Sequence, residues 1–169
     1  MRVLGIDPGT QYLGMGLVDR NGGPPTHVAH FLLEPKHHGE LPDKLAYLFE
    51  GISEVIAQHR PDAVAVEGVF HAKNARSAII LAHARGIALL CAARADLPVF
   101  EYAPATVKKA VGVSGAAEKD SVMRMVCSLL RLEKVERSDC ADALAIALCH
   151  LNHALPARPA GGYTIVRRS

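Results

Sequence analysis

The 169-residue chain contains no tryptophan, and aromatic residues make up only 5% of it. Any aromatic side chain outside the core therefore invites a specific explanation. Its four cysteines, Cys91, Cys127, Cys140 and Cys149, include no CxxC pair, so neither a disulfide framework nor a thiolate metal site is indicated. Three of them fall inside apolar helical patterns, as small core residues do. A long uncharged apolar run is also missing. The longest, residues 79–93, carries His83 and Arg85 and makes a poor membrane span. No apolar targeting segment follows Met1, because Arg2 and Asp7 arrive within a few residues. A strong excess of one charge is absent too: the net charge is +2 and the pI about 8.4. These absences lead to the expectation of a soluble, reduced, cytoplasmic protein with no membrane partner.

Half of the residues are hydrophobic, enough for one domain with a sizeable core. Charge is unevenly spread along the chain. Residues 1–70 hold five Lys/Arg against nine Asp/Glu, whereas residues 71–131 hold nine against four. The middle third thus supplies either a basic surface or simply a solvated helical one.

Apolar patterning predicts three leading strands at residues 2–7, 13–18 and 27–33, with "NGGPP" as the turn between the last two. A helix is expected over 42–59, where Leu45, Leu48, Phe49, Ile52, Val55 and Ile56 recur at helical spacing. A strand at 62–67, a helix at 75–95 and a strand at 97–102 follow. Helices at 106–111, 117–132 and 138–154 complete the domain, expected to span 1–155. Residues 156–169 read as a weakly ordered tail. Three meandering strands followed by βα crossovers give an α/β fold with a five-stranded mixed sheet, for which the order 3-2-1-4-5 fits.

Two of these strands end on an acid. "RVLGIDPG" carries Asp7 at its tip, where Pro8 holds the preceding residue extended and Gly9 permits a tight turn. "DAVAVEGVF" repeats the pattern with Glu67. A third acidic element is "RSDCADALAIALCHL". Ser138 suits an N-cap there and Asp139 the first helical turn. Asp142 is different, since its helix is apolar on all sides apart from itself and His150. A buried, unpaired carboxylate is costly, and a cation is one way to satisfy it. Asp139 and Asp142, three residues apart, share a helix face. The order 3-2-1-4-5 sets the first and fourth strands parallel and adjacent, so that both end on their acids at the same edge. Four carboxylates that could converge, without Cys or His, suit a hard cation such as Mg²⁺. Two such ions roughly 3.5–4 Å apart activate a water and stabilise a leaving phosphate-ester oxygen. "IDPGT" also resembles the phosphate turn of actin-like and sugar-kinase ATPases, but those need two domains around a cleft, and this length holds one.

Four collinear blocks, "LGIDPGTQYLGMG", "VEGVFHAKNARSAI", "LPVFEYAPATVKKAVGVSGAAEK" and "DCADALAIA", closely resemble the RuvC family of Holliday-junction resolvases over residues 2–152. The resemblance implies a ribonuclease H-like fold, a homodimer and dependence on Mg²⁺ or Mn²⁺, with two ions per site. It also implies symmetric nicking of four-way DNA junctions during recombination and repair, and cooperation with the RuvA–RuvB branch-migration complex. The family's catalytic, metal-holding acids fall on Asp7, Glu67, Asp139 and Asp142, its lysines on Lys108 and Lys119, and its junction-contacting aromatic on Phe70. Asp139 stands where some members carry His, and Gly68 and His71 also differ from many members.

From the residues alone, Phe70 with Lys73 and Arg76 nearby forms a stacking and phosphate-binding candidate. Lys108 and Lys119 flank a Gly-containing turn at which a phosphate could sit. The helix at 75–95 is apolar around its circumference and so needs a second surface, which points to a two-fold partner. Two other readings stay open: a junction-binding module with structural acids, and a nuclease of the same fold acting on RNA–DNA hybrids or DNA ends.

Overall fold

The computed structural model describes residues 1–68, 75–113, 120–153 and 164–165. Its sheet starts from β1 (Arg2–Asp7), β2 (Leu13–Asp19) and β3 (Thr26–Leu33), an antiparallel meander in which Asp7 stands opposite Gly14. A 3₁₀ turn at Pro35–His37, which the apolar pattern does not signal, leads to α1 (Leu41–His59). The Glu40 and Asp43 side chains form a reciprocal capping box at the start of α1, and Arg60 in the left-handed region, φ 46°, ends it. β4 (Ala63–Glu67) then lies parallel to β1, with Val66 beside Ile6. After α2 (Ala75–Arg94), β5 (Val99–Tyr102) runs parallel to β4.

The observed order is β3-β2-β1-β4-β5, the expected mixed sheet. A further two-residue strand, β6 (Thr164–Ile165), joins the β5 edge from within the region expected to be a tail. α3 (Pro104–Ala110), α4 (Ser121–Leu130) and α5 (Ser138–His153) follow β5. α4 stops two residues before its expected end because Arg131 turns left-handed at φ 54°. At α5, Ser138 is the first helical residue rather than the cap, and the Arg137 carbonyl accepts the first helical bond from Ala141 N–H at 3.2 Å.

Strand alternation divides the core between two faces. Leu4, Ile6, Leu13, Met15, Val64 and Val66 pack with α1 and α2, while Val3 and Ala65 pack with α5. α5 is the central helix, buried from Cys140 to Leu151 except at Asp142. It reaches the sheet because β1 and β2 carry glycines beneath it. A Cβ on Gly5 would stand 2.0 Å from the Ala143 carbonyl, and one on Gly16 would stand 2.6 Å from the Leu144 amide. The other polar residue within this buried stretch, His150, is a core residue only 2% exposed. Its Nδ1 lies 2.7 Å from the Tyr102 hydroxyl, and burial pushes its pKa down to about 4. The four cysteines are free thiols, three of them buried.

Candidate functional site

β1 alternates so that Val3, Gly5 and Asp7 share the face covered by α5. β4 does the same with Ala65 and Glu67. Because β1 and β4 are parallel and paired up to Ile6 and Val66, Asp7 and Glu67 end side by side at one sheet edge. The N-terminus of α5 arrives at that same edge. Gly14, the register partner of Asp7, would meet the Asp139 carbonyl at 2.0 Å if it bore a Cβ. Asp139 is therefore fixed over the tip of β1, and Asp142 follows one turn along the same helix face.

The electrostatics bear the marks of this convergence. Burial pushes the Asp7 carboxyl well above the usual aspartate range, and the charges of Asp142, Glu67 and Asp139 push it further. Burial, then Asp142, raises Glu67, while Lys108 acts in the opposite direction. Asp142 is pushed up to about 6 by burial and by Asp139, again opposed by Lys108. Asp7, Glu67 and Asp142 each keep some surface open at the sheet edge, although protein surrounds them closely. The group is thus short of positive charge, as an oxygen-lined cation site is before its ion binds.

Among the described residues, no three His, Cys, Asp or Glu side chains stand as a ready-made ligand group. The donor set nevertheless fits a hard divalent cation: all four donors are carboxylates, and three have pKa values raised by burial and mutual repulsion.

Of the residues singled out in the sequence, the fold gathers Asp7, Glu67, Asp139, Asp142 and Lys108. Phe70, Lys73 and Lys119 lie outside the described residues. Arg76 belongs to α2, but its side chain lies outside the described set. Sequence reasoning passed over Gly14, whose place inside a strand signals close backbone approach. It also passed over Tyr12, which carries two cations. Lys36 Nζ lies 4.1 Å and Arg137 Cζ 4.0 Å from its ring centroid. The shortage of aromatics was the available signal for Tyr12.

A family model described as crossover junction endodeoxyribonuclease RuvC matches residues 3–150. The crossover junction endodeoxyribonuclease RuvC of Myxococcus xanthus is 53% identical over 167 residues, covering 96% of this chain and 87% of that one. Its Sorangium cellulosum counterpart is 47% identical over 171 residues, covering 100% and 96%. Among solved structures, Thermus thermophilus RuvC in complex with a Holliday junction substrate superposes with a TM-score of 0.83 at 35% identity, covering 90% of this chain and 94% of that one.

Proposed function

The chain belongs to the RuvC family of crossover junction endodeoxyribonucleases, and we propose that Asp7, Glu67, Asp139 and Asp142 are the acids with which it resolves four-way DNA junctions. It is a metal-dependent hydrolytic nuclease of ribonuclease H-like fold that acts on Holliday junctions in recombination. The finer reading is that Mg²⁺ or Mn²⁺ serves, with two ions per site. When bound, such ions supply Lewis acidity to phosphodiester hydrolysis. Asp7, Glu67 and Asp142 hold them, and Asp139 completes the set from the first turn of α5. Lys108, whose field reaches Glu67 and Asp142, brings a cation to the non-bridging oxygens of the scissile phosphate. Phe70 stacks on an unpaired base, and Lys73, Arg76 and Lys119 contact DNA phosphates.

A homodimer suits a substrate whose two cut strands are related by symmetry. α2 offers the surface for it, with Ile79 58% and Leu90 48% exposed. No helix among the described residues is long and apolar enough to cross a membrane. A cytoplasmic location and cooperation with RuvA–RuvB complete the reading, both resting on the family resemblance.

The carrying observation is the meeting of two strand-end acids with the acidic first turn of α5. The test is cleavage of an end-labelled synthetic four-way junction, an RNA–DNA hybrid and a linear duplex, with Mg²⁺ and with chelator. Paired nicks in the junction alone, dependent on Mg²⁺, are expected. Preference for the hybrid or the linear duplex would overturn the substrate assignment. Cutting in chelator would overturn the role given to the acids.

A further inference from the structure

Three side chains remote in sequence meet beside the acidic edge. Tyr12 closes the loop that leaves Asp7, and the loop is drawn tight enough that a Cβ on Gly9 would meet the Tyr12 carbonyl at 2.1 Å. Lys36, from the 3₁₀ turn after β3, hydrogen-bonds the Tyr12 hydroxyl and lies over the ring. Arg137, the residue before α5, lies over the same ring. The Lys36 hydrogen bond holds the phenol below its usual pKa.

The cations are only partly spent within the protein. Lys36 Nζ is 3.1 Å from Glu34, a carboxylate it shares with His37 at 3.9 Å. Arg137 Nη2 is 3.5 Å from Asp139, a loose contact with an acid already committed to the cluster at β1. Its Nε is buried and makes no hydrogen bond to the described residues. Setting Asp139 aside, two cations face the single carboxylate of Glu34. The side chains of Lys36 and Arg137 remain 31% and 42% exposed. A ring that already carries two cations is a poor platform for a base but a good brace for charged groups.

We propose that Tyr12, Lys36 and Arg137 form a phosphate grip that holds the DNA backbone beside the Asp7 edge. The inference rests on the junction-resolving reading above. Lys and Arg side chains, aided by a tyrosine hydroxyl, are the usual donors to DNA phosphate oxygens, and such contacts fix register without reading sequence. The guanidinium fork suits two oxygens of one phosphate, and the ammonium adds a point charge. Its place between the Asp7 loop and the first turn of α5 ties this grip to the same backbone that carries Asp7 and Asp139. A strand seated on the grip is thereby held in register with the acids.

The test is fluorescence-anisotropy titration of a labelled synthetic four-way junction in chelator, which prevents cutting, across a series of NaCl concentrations. Wild type is compared with Lys36→Gln, Arg137→Gln and Lys36→Arg, and the Tm of each is recorded. Each Gln variant should flatten the slope of log K against log [salt] by about 0.7–0.9, the share of one phosphate contact. Lys36→Arg should keep the wild-type slope. Should Lys36→Gln fail to fold, Lys36→Met keeps the aliphatic stem against the ring and replaces it. A wild-type slope in both Gln variants, with or without a fall in Tm, would overturn the grip and leave an internal brace for the loop. Wild type that fails to prefer the junction over a linear duplex would instead overturn the junction reading itself.

Discussion

Because Asp7 ends β1 amid Glu67, Asp139 and Asp142, its negative charge opposes folding whenever no cation is bound. Its folded pKa is raised, so its contribution is fully favourable below the unfolded value near 4 and is lost as pH climbs through the folded one. At neutral pH the metal-free protein bears that cost. Asp7→Asn removes the charge with little change in volume. Metal-free Asp7→Asn should melt above wild type, by roughly 2–4 °C for each kcal/mol relieved in a chain of this size. Calorimetry in chelator checks this, and a lower Tm would show that Asp7 has a structural partner. The same variant should bind junctions normally and cut none. Asp142 yields a second expectation, since burial and Asp139 push it up to about 6. A divalent ion must displace that proton. Titration of Mg²⁺ by calorimetry should therefore show affinity falling at least about tenfold per pH unit below 6, since Asp7 and Glu67 add protons of their own. Affinity independent of pH between 5 and 7 would remove Asp142 from the ligand set.

At the scale of elements, Asp7, Glu67 and Asp142 were legible because each breaks an apolar pattern, whereas Asp139 reads as an ordinary first-turn acid. Asp7 and Glu67 terminate buried strands, and Asp142 interrupts a helix otherwise apolar all round. The strand order 3-2-1-4-5 already set Asp7 beside Glu67. What brings α5 onto them was not legible, because it depends on residues with no side chain. Gly5, Gly14 and Gly16 let α5 lie directly on β1 and β2, and a glycine in a strand does not announce which helix will cover it. Tyr12, Lys36 and Arg137 were hidden for a related reason. They come from a loop, a 3₁₀ turn and a pre-helical residue, and only the completed sheet makes them neighbours. β6 is two residues long, too short for periodicity to register. The glycine argument has a direct consequence at Gly14. A methyl group there would stand 2.0 Å from the Asp139 carbonyl, backbone against backbone. Neither side can yield by rotating a side chain, so α5 must move. Gly14→Ala should cost about 1–3 kcal/mol as an overpacking substitution and abolish cutting while junction binding persists. Denaturant unfolding and the cleavage assay read the two effects separately. Wild-type cutting by a folded Gly14→Ala protein would show that the position of Asp139 is not critical.

For the whole molecule, the proposed dimer turns on α2. α2 packs on α1 and the sheet through Ala84, Ala88, Cys91 and Ala92, with Ile87 and Leu89 partly buried against the same cluster. The Arg85–Glu101 ion pair ties it to β5 as well. That arrangement leaves Ile79 and Leu90 open, eleven positions apart along the helix and so about three turns from each other. An apolar helix needs cover on both sides, and α4 and α5 lie on the opposite face of the sheet, where they cannot supply it. A second copy of α2 is the economical cover, since a two-fold axis sets like against like. It would hold the two Glu67 segments at fixed separation, because only residues 68–74 lie between β4 and α2. Paired nicking then follows from geometry, with both strands presented before either product leaves. Ile79→Glu combined with Leu90→Glu should convert a dimer into monomers by light scattering at micromolar concentration. Its Tm in dilute solution should stay close to that of wild type, since both side chains are exposed in the single chain. On a supercoiled cruciform plasmid, the variant should release singly nicked circles, whereas wild type linearises the plasmid in one binding event. Linear product formed by a variant shown to be monomeric would mean that the two cuts are not coupled through α2.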